Sequence, residues 1–303
     1  MLILVREAHE SFSCFGGICS VHVMGEDPVE AARSAREQLL DWHHAFSRFE
    51  PQSELSKLNA DPRPTVPVSP TMARLVEAAI AAAELTCGLV DPTLLREIRE
   101  SGYEGDIERP LPLDLALRLR RRHVSARPHG ARRWSAVSVP REGIVSRPPF
   151  VQLDSGGIAK GLFADLIGAR LAGVRSYAVD CAGDIRLGGL ARSVRVQSPF
   201  DGEVLHELEL TDAGVATSGI GRRSWLDADG RPAHHLLDPS TGRPAFTGVV
   251  QATAVAPTAV EAEARAKAAV LDGPDRARDW LVHGGVVVLD DSSHLVLEPA
   301  AVA

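Results

Sequence analysis

The chain has 303 residues, enough for one large domain or two modest ones, and its 45% hydrophobic, 24% charged composition is that of a globular protein that folds without a disulfide or metal staple. Lys and Arg number 33 against 40 Asp and Glu, a net charge of −7 that argues against a general nucleic-acid binder. No apolar run approaches the roughly 18 residues that a membrane-spanning helix needs.

Met1-Leu-Ile-Leu-Val5 is apolar but runs at once into Arg6 and Glu7. It lacks a basic leader and a full apolar stretch, so it reads as a strand rather than a secretory signal. Cys14, Cys19, Cys87 and Cys181 form no C-x-x-C pair, and reduced thiols in a cytoplasmic chain are expected. Only Lys57, Lys160 and Lys267 are lysine, and the other 30 basic residues are arginine, a skew expected of a GC-rich genome. Against that background each lysine is informative.

In chain order, residues 18–24 alternate like a half-buried strand. Residues 28–46 read as a helix, with Pro28 in its first turn and Val29, Ala32, Leu39, Leu40 and Trp42 on an apolar face. A polar, proline-punctuated loop is expected over 47–70, then a second helix over 71–86 closed by Gly88. Residues 101–150 are the least legible and look like a variable insertion. Their run Arg120-Arg121-Arg122-His123 reads as a solvated helix face or, alternatively, a phosphate or partner patch. From 151 the pattern becomes strand, glycine turn and helix, then short strands, then a helix over 258–271 closed by Asp272-Gly273-Pro274, then strands over 284–297. Strands and helices mix without regular βαβ alternation, so the fold class is α+β, in a single domain over 1–303.

Four stretches carry chemistry. Asp154-Ser-Gly156-Gly157-Ile158-Ala159-Lys160-Gly161 leads from an apolar strand into a helix. Adjacent glycines let backbone N–H groups approach a ligand, the helix N-terminus favours an anion, and Lys160 adds a full charge. That chemistry suits a pyrophosphate, although the spacing is neither a P-loop nor G-x-G-x-x-G, and a plain strand-to-helix turn is the alternative. Asp180-Cys-Ala-Gly183-Asp184 ends a strand in a turn where Asp184 either holds a sugar hydroxyl or caps the backbone. Thr217-Ser218-Gly219 offers two hydroxyls in what reads as a turn, for a phosphate or ring edge or for the turn itself. His234-His235-Leu-Leu-Asp238-Pro-Ser-Thr-Gly242 places histidine near an acid, as a general base requires, and matches no standard zinc spacing. His43-His44 has no acid in ligand spacing and reads as structural.

The order of the pieces is more specific than any one of them. Phe46-Ser-Arg-Phe-Glu-Pro-Gln-Ser-Glu-Leu-Ser-Lys-Leu-Asn59, Gly88-Leu-Val-Asp91-Pro-Thr93, Gly102-Tyr103, Leu153 to Gly161 with Asp165, Ala182-Gly-Asp184, Ala216-Thr-Ser-Gly219 and His235-Leu-Leu-Asp-Pro-Ser-Thr-Gly242 together resemble the FAD:protein FMN transferases, the ApbE-type flavin transferases. The resemblance runs from about residue 15 to about 290. It implies a T-fold-like core of mixed or antiparallel sheets packed with helices. It implies a reaction in which FMN passes from FAD to a threonine hydroxyl in a short motif of an acceptor protein, and AMP leaves. It assigns FAD binding to Asp91, Thr93, Gly156, Gly157, Ile158, Ala159, Lys160, Gly161, Gly183, Asp184, Thr217, Ser218 and Gly219. It gives His235 the role of base, with Asp238 positioning its turn, and places the Ala159 carbonyl beside a magnesium ion.

The chain departs from that pattern where the family usually carries an aspartate and, four residues on, a threonine as magnesium ligands. Here Glu263 and Lys267 stand in those places. Glutamate can bind a hard cation, whereas an ammonium has no lone pair. Magnesium is therefore in doubt. Either the two residues form a surface i, i+4 ion pair, or the Lys267 ammonium occupies the metal's place, held by Glu263, and joins the catalytic residues. Ala182 also replaces a usual glycine, and Phe15-Gly16-Gly17 replaces Met-Gly-Thr. With the glycine and histidine turns intact, an active transferase is expected. An FAD binder without transfer, or a hydrolase of FAD using water, are the alternatives.

Overall fold

The structure is a computed structural model, and it describes residues 6–299 apart from 106, 108 and 121. The strand expected at Met1–Val5 lies outside the described residues, as does Arg121.

Eight strands form one antiparallel sheet in which spatial order follows chain order: β1 Arg6–Cys14, β2 Gly17–Gly25, β3 Ser176–Cys181, β4 Asp184–Gly188, β5 Gly214–Gly219, β6 Val249–Ala256, β7 Gly285–Leu289 and β8 His294–Leu297. The alternation at 18–24 is β2, whose Cys19, Val21 and Val23 are fully buried. The sheet is thus a meander with two helical excursions, a long one between β2 and β3 and a shorter one between β6 and β7, and with short strands inserted between β4 and β5 and between β5 and β6.

The first excursion carries helices α1 Pro28–Phe46, α2 Glu54–Ala60, α3 Pro70–Leu85, α4 Leu95–Glu100, α5 Leu113–Leu119 and α6 Ala159–Arg170. The second carries α7 Ala259–Asp272 and α8 Ala277–Trp280. Helix α1 packs Ala32, Ala35, Leu39, Trp42 and Phe46 onto β1 and β2, α6 covers β3 and β4, and α7 covers β5 and β6. Helices α6 and α7 meet closely: a Cβ at Gly161 would lie 2.6 Å from the Ala259 carbonyl oxygen and 2.8 Å from Val260 Cα. Real Cβ atoms do not approach backbone so closely, so only glycine fits there. Asp165 of α6 locks the same junction by accepting the Ala259 and Val260 N–H groups at 2.9 Å each. Among the described residues, no helix is long and apolar enough to cross a membrane.

Four local readings need correction. The 47–70 stretch is not a plain loop: Ser53 caps α2 by accepting the Ser56 N–H at 3.0 Å, and Thr65–Pro67 pairs with Ile144–Ser146. Residues 151–154 join no sheet. Instead the Asn59 side chain serves as their partner, accepting from Leu153 N at 2.7 Å and donating to Leu153 O at 2.8 Å. Thr217-Ser218-Gly219 is the end of β5, not a turn. Arg120 and His123 follow α5 rather than ride on it, and both converge on the Asp290 carboxylate.

Candidate active site

A cavity of about 290 Å³ opens where the α1 C-terminus, the glycine turn before α6, α7 and the histidine hairpin meet. Phe15, Trp42, Phe46, Phe49, Tyr103 and Phe163 supply an aromatic wall. Gly156, Gly157, Ala159 and Lys160 come from the turn, Lys267 from α7 and His235 from the hairpin. Asp91 and Arg223 also line it.

The glycine turn is built by its neighbours. Ser155 Oγ donates to the Phe46 carbonyl at 3.0 Å, tying the turn to the end of α1, and Ala159 N donates to Ser155 O at 3.0 Å as α6 begins. Ile158 packs into the core with Val90 and Ala264, and Gly161 faces α7, so these two shape the turn rather than the cavity wall.

Four charged side chains meet beside it. Glu263 is fully buried and Lys267 is 7% exposed. Lys267 Nζ donates to Glu263 Oε1 at 2.7 Å, Lys160 Nζ reaches the same oxygen at 3.2 Å, and the Gly161 N–H holds Oε2 at 2.9 Å. Lys160 also bonds the Asp184 carboxylate. The i, i+4 pair expected on the surface is therefore buried. Burial alone would raise the Glu263 carboxyl, but the Lys160 and Lys267 charges and the Gly161 N–H outweigh it and hold the carboxyl below its ordinary value. Burial pulls Lys160 down to about 8, with the Lys267 and Arg223 charges adding to it and Glu263 opposing.

These donors do not fit a magnesium ion. A hard dication takes about six oxygen ligands. Here both Glu263 oxygens are occupied by N–H donors, and the position four residues on is an ammonium. Among the described residues, no group of three or more His, Cys, Asp or Glu side chains is arranged to hold a metal.

His235 is held by its backbone N–H on the Arg223 carbonyl, and its buried Nδ1 has no partner among the described residues. Burial, then the charges of Arg223, His234 and Lys267, keep the imidazole neutral well below its usual pKa. A neutral imidazole that lines the cavity is a proton acceptor, and with Nδ1 sealed from solvent the nitrogen left to accept is Nε2. Asp238 lies outside the cavity and ties the hairpin turn, accepting from Arg127 N at 2.9 Å, Ser240 N at 3.0 Å and Thr241 Oγ1 at 3.0 Å. His234 is buried against the Phe246 ring and accepts the Leu236 N–H through Nδ1 at 3.2 Å. Its pKa falls to about 3 through burial.

Both histidines bind protons in the unfolded chain below pH 6.5 and resist them when folded. The unfolded state then holds more protons, so stability rises with pH up to about 6.5 and is lost as pH falls below it, by up to about 1.4 kcal/mol per pH unit for each group. The expected result for His234→Asn, which keeps an acceptor for Leu236 N–H, is a shallower acid slope in urea midpoints between pH 6.5 and 5. An unchanged slope would show that His234 does not carry this dependence.

Asp91 accepts from Thr93 N at 2.8 Å and Thr93 Oγ1 at 2.6 Å through one oxygen, leaving the buried Oδ2 without a partner among the described residues. Burial raises its pKa against the Thr93 bonds. Thr93, itself buried, acts as the holder of Asp91. Asp184 neither caps its turn nor reaches the cavity wall. It is buried with Lys160 on it, and Asp180 caps the turn by accepting the Gly183 N–H at 2.7 Å. Thr217, Ser218 and Gly219 are not brought to the cavity. Thr217 Oγ1 bonds Thr253 Oγ1 across the ladder at 2.8 Å. His43, read as structural, lines the cavity edge-on to Phe15.

Two arginines escaped sequence reasoning. Arg48 lies over the Phe49 and Tyr103 rings at 4.2 and 4.5 Å, donates to Tyr103 O at 3.0 Å, and keeps Nη2 unpartnered. Arg223 donates to Phe15 O at 2.9 Å. Among 30 arginines neither stood out.

The two mild departures from the family pattern are one change. Ala182 sits at φ 57°, and a Cβ at Gly17 would lie 2.9 Å from the Ala182 Cβ. The missing side chain at 17 makes room for the added one at 182. Gly17→Ala is expected to cost about 1–3 kcal/mol by overpacking, and much less in an Ala182→Gly background. Additive costs in urea denaturation of the four chains would refute the coupling.

Comparison with known proteins decides the family. The model of the ApbE family matches residues 15–289. The chain belongs to the ApbE family. Curated relatives include the FAD:protein FMN transferase of Escherichia coli K12, 26% identical over 277 residues that cover 87% of this chain and 75% of that one. The FAD:protein FMN transferase of Klebsiella pneumoniae is 28% identical, covering 90% and 81%. Among solved structures, the flavinyl transferase ApbE of Pseudomonas stutzeri in its apo form superposes with a TM-score of 0.77 at 21% identity, over 99% of this chain and 96% of that one. The ApbE protein of Thermotoga maritima gives 0.75 at 26%, over 97% of each. The ApbE fold is thus α+β, as the element order implies.

Proposed function

We propose that the protein transfers FMN from FAD to a threonine hydroxyl of an acceptor protein and releases AMP. The observation that carries this reading is the meeting of His235, Lys160 and Lys267 at one aromatic cavity. The naming of relatives as FAD:protein FMN transferases supports it. The aromatic wall suits a flat heteroaromatic ring. The Gly156-Gly157 backbone and the two ammonium groups suit a pyrophosphate.

In the step, the acceptor oxygen attacks the phosphorus on the FMN side and the bond to the bridging oxygen breaks. AMP leaves with the bonding pair, and the hydroxyl proton passes to the neutral His235. Lys160 and Lys267 offset the charge that grows on the phosphoryl oxygens, which is the main work in phosphoryl transfer.

The test is the intact mass of an acceptor domain incubated with the protein and FAD, beside an established transferase that shows the acceptor to be competent. A gain of FMN less water, with AMP in solution, is expected. Free FMN and AMP without adduct would mean that water is the acceptor. No turnover beside a working control would reduce the protein to an FAD binder.

A further inference from the structure

We propose that the Lys267 ammonium takes the place of a divalent cation in this site, so that FAD is bound and its pyrophosphate activated by two lysines without a metal. This rests on the transfer reading above and concerns how its electrophile is activated.

The geometry supports the substitution atom by atom. Both oxygens of the Glu263 carboxylate are already engaged by N–H donors, and the position four residues on is an ammonium rather than a metal ligand. Oε1 accepts from Lys267 at 2.7 Å and Lys160 at 3.2 Å, and Oε2 accepts from Gly161 N at 2.9 Å. An ammonium carries three donors. Lys267 spends one on Glu263, and Lys160 spends two, on Glu263 and Asp184. Three N–H donors therefore remain on two side chains that both line the cavity.

Packing does not explain the lysine. Its neighbours on α7, Ala264, Ala266, Ala268 and Val270, are buried and apolar. Burying a charge among them costs several kcal/mol before pairing. Lys160 is shared between Glu263 and Asp184, and Lys267 brings the cluster to two ammonium groups on two carboxylates. The charges balance, but only the two lysines line the cavity and neither carboxylate does, so an anion that enters meets the spare N–H donors rather than the acids. Donors fixed in advance where negative charge develops act on it without having to reorganise.

The experiment measures FAD affinity by flavin fluorescence quenching, with EDTA and with magnesium chloride, in the parent chain and two variants. The parent is expected to bind FAD with the same Kd, within about twofold, under both conditions, and magnesium chloride alone should give no binding heat. Lys267→Met is expected to weaken FAD binding at least tenfold. The double variant Glu263→Gln/Lys267→Met removes both charges and leaves Lys160 on Asp184. It should remain as weak as Lys267→Met. Recovery of parent affinity in the double variant would show that Lys267 only neutralises Glu263, and would overturn the inference. Loss of FAD from the parent on chelation would overturn it too, while leaving transfer intact. A parent chain that binds no FAD under either condition would sink the transfer reading along with it.

Discussion

His235→Ala abolishes FMN transfer and leaves FAD affinity within about twofold of the parent. That is the expected result, because the imidazole lines the cavity without bonding any described group through Nδ1, so its loss unties nothing. Removing a positioned base typically costs about 10²–10⁴-fold in rate. The neighbouring His234 cannot replace it: the ring is buried against Phe246, engaged with Leu236 N–H, and lines no part of the cavity. The pH profile should carry the same signature. A histidine held neutral well below 6.5 remains a competent base in mildly acidic buffer. The acid limb of kcat should therefore lie well below 6.5 rather than centre on it. Transfer at the parent rate in His235→Ala would move the base elsewhere, and an acid limb at 6.5 would mean that the ring is solvated in the complex.

Much of this was legible in the sequence where one local rule governs. The apolar period of Pro28–Phe46 and its leading proline marked α1, and the alternation of Cys19, Val21 and Val23 marked β2. The glycine and histidine turns were legible because few backbones need such residues in that order. What sequence could not show depends on partners distant along the chain. Leu153 looked like a strand residue because its ladder partner is a side chain, Asn59, 94 positions away. Thr217-Ser218-Gly219 looked like a turn because glycine usually marks one. Here the glycine is needed instead for the close approach of the Val250 carbonyl, 2.9 Å from where its Cβ would sit. Lys267 was legible as an oddity, but the meeting of Lys160 on the same carboxylate oxygen needed the α6–α7 junction. That junction in turn depends on Gly161 and Asp165.

The same carboxylate sets the second large effect. Glu263→Gln keeps the volume and removes the charge that two buried ammonium groups share. Lys160 retains Asp184, but among the described residues Lys267 keeps no carboxylate within ion-pair distance. Breaking a buried ion pair from one side typically costs about 3–5 kcal/mol, because a charge is left without compensation. A loss of that order in urea denaturation at pH 7 is expected, and its pH dependence identifies the cause. A lysine in the unfolded chain keeps its proton to about pH 10.4. Lys160 in the folded parent releases it near 8, and without the attraction of Glu263 it would do so lower still. Between those values the unfolded state holds the extra proton, so the folded state gains stability as pH rises. The parent gains in the same way once pH passes about 8, so part of the Glu263→Gln deficit should vanish between pH 7 and 8, above which the remainder stays constant. A deficit that stays constant between pH 7 and 8 as well would mean that lost packing or the lost Gly161 N–H bond, not an unpaired ammonium, destabilises the variant.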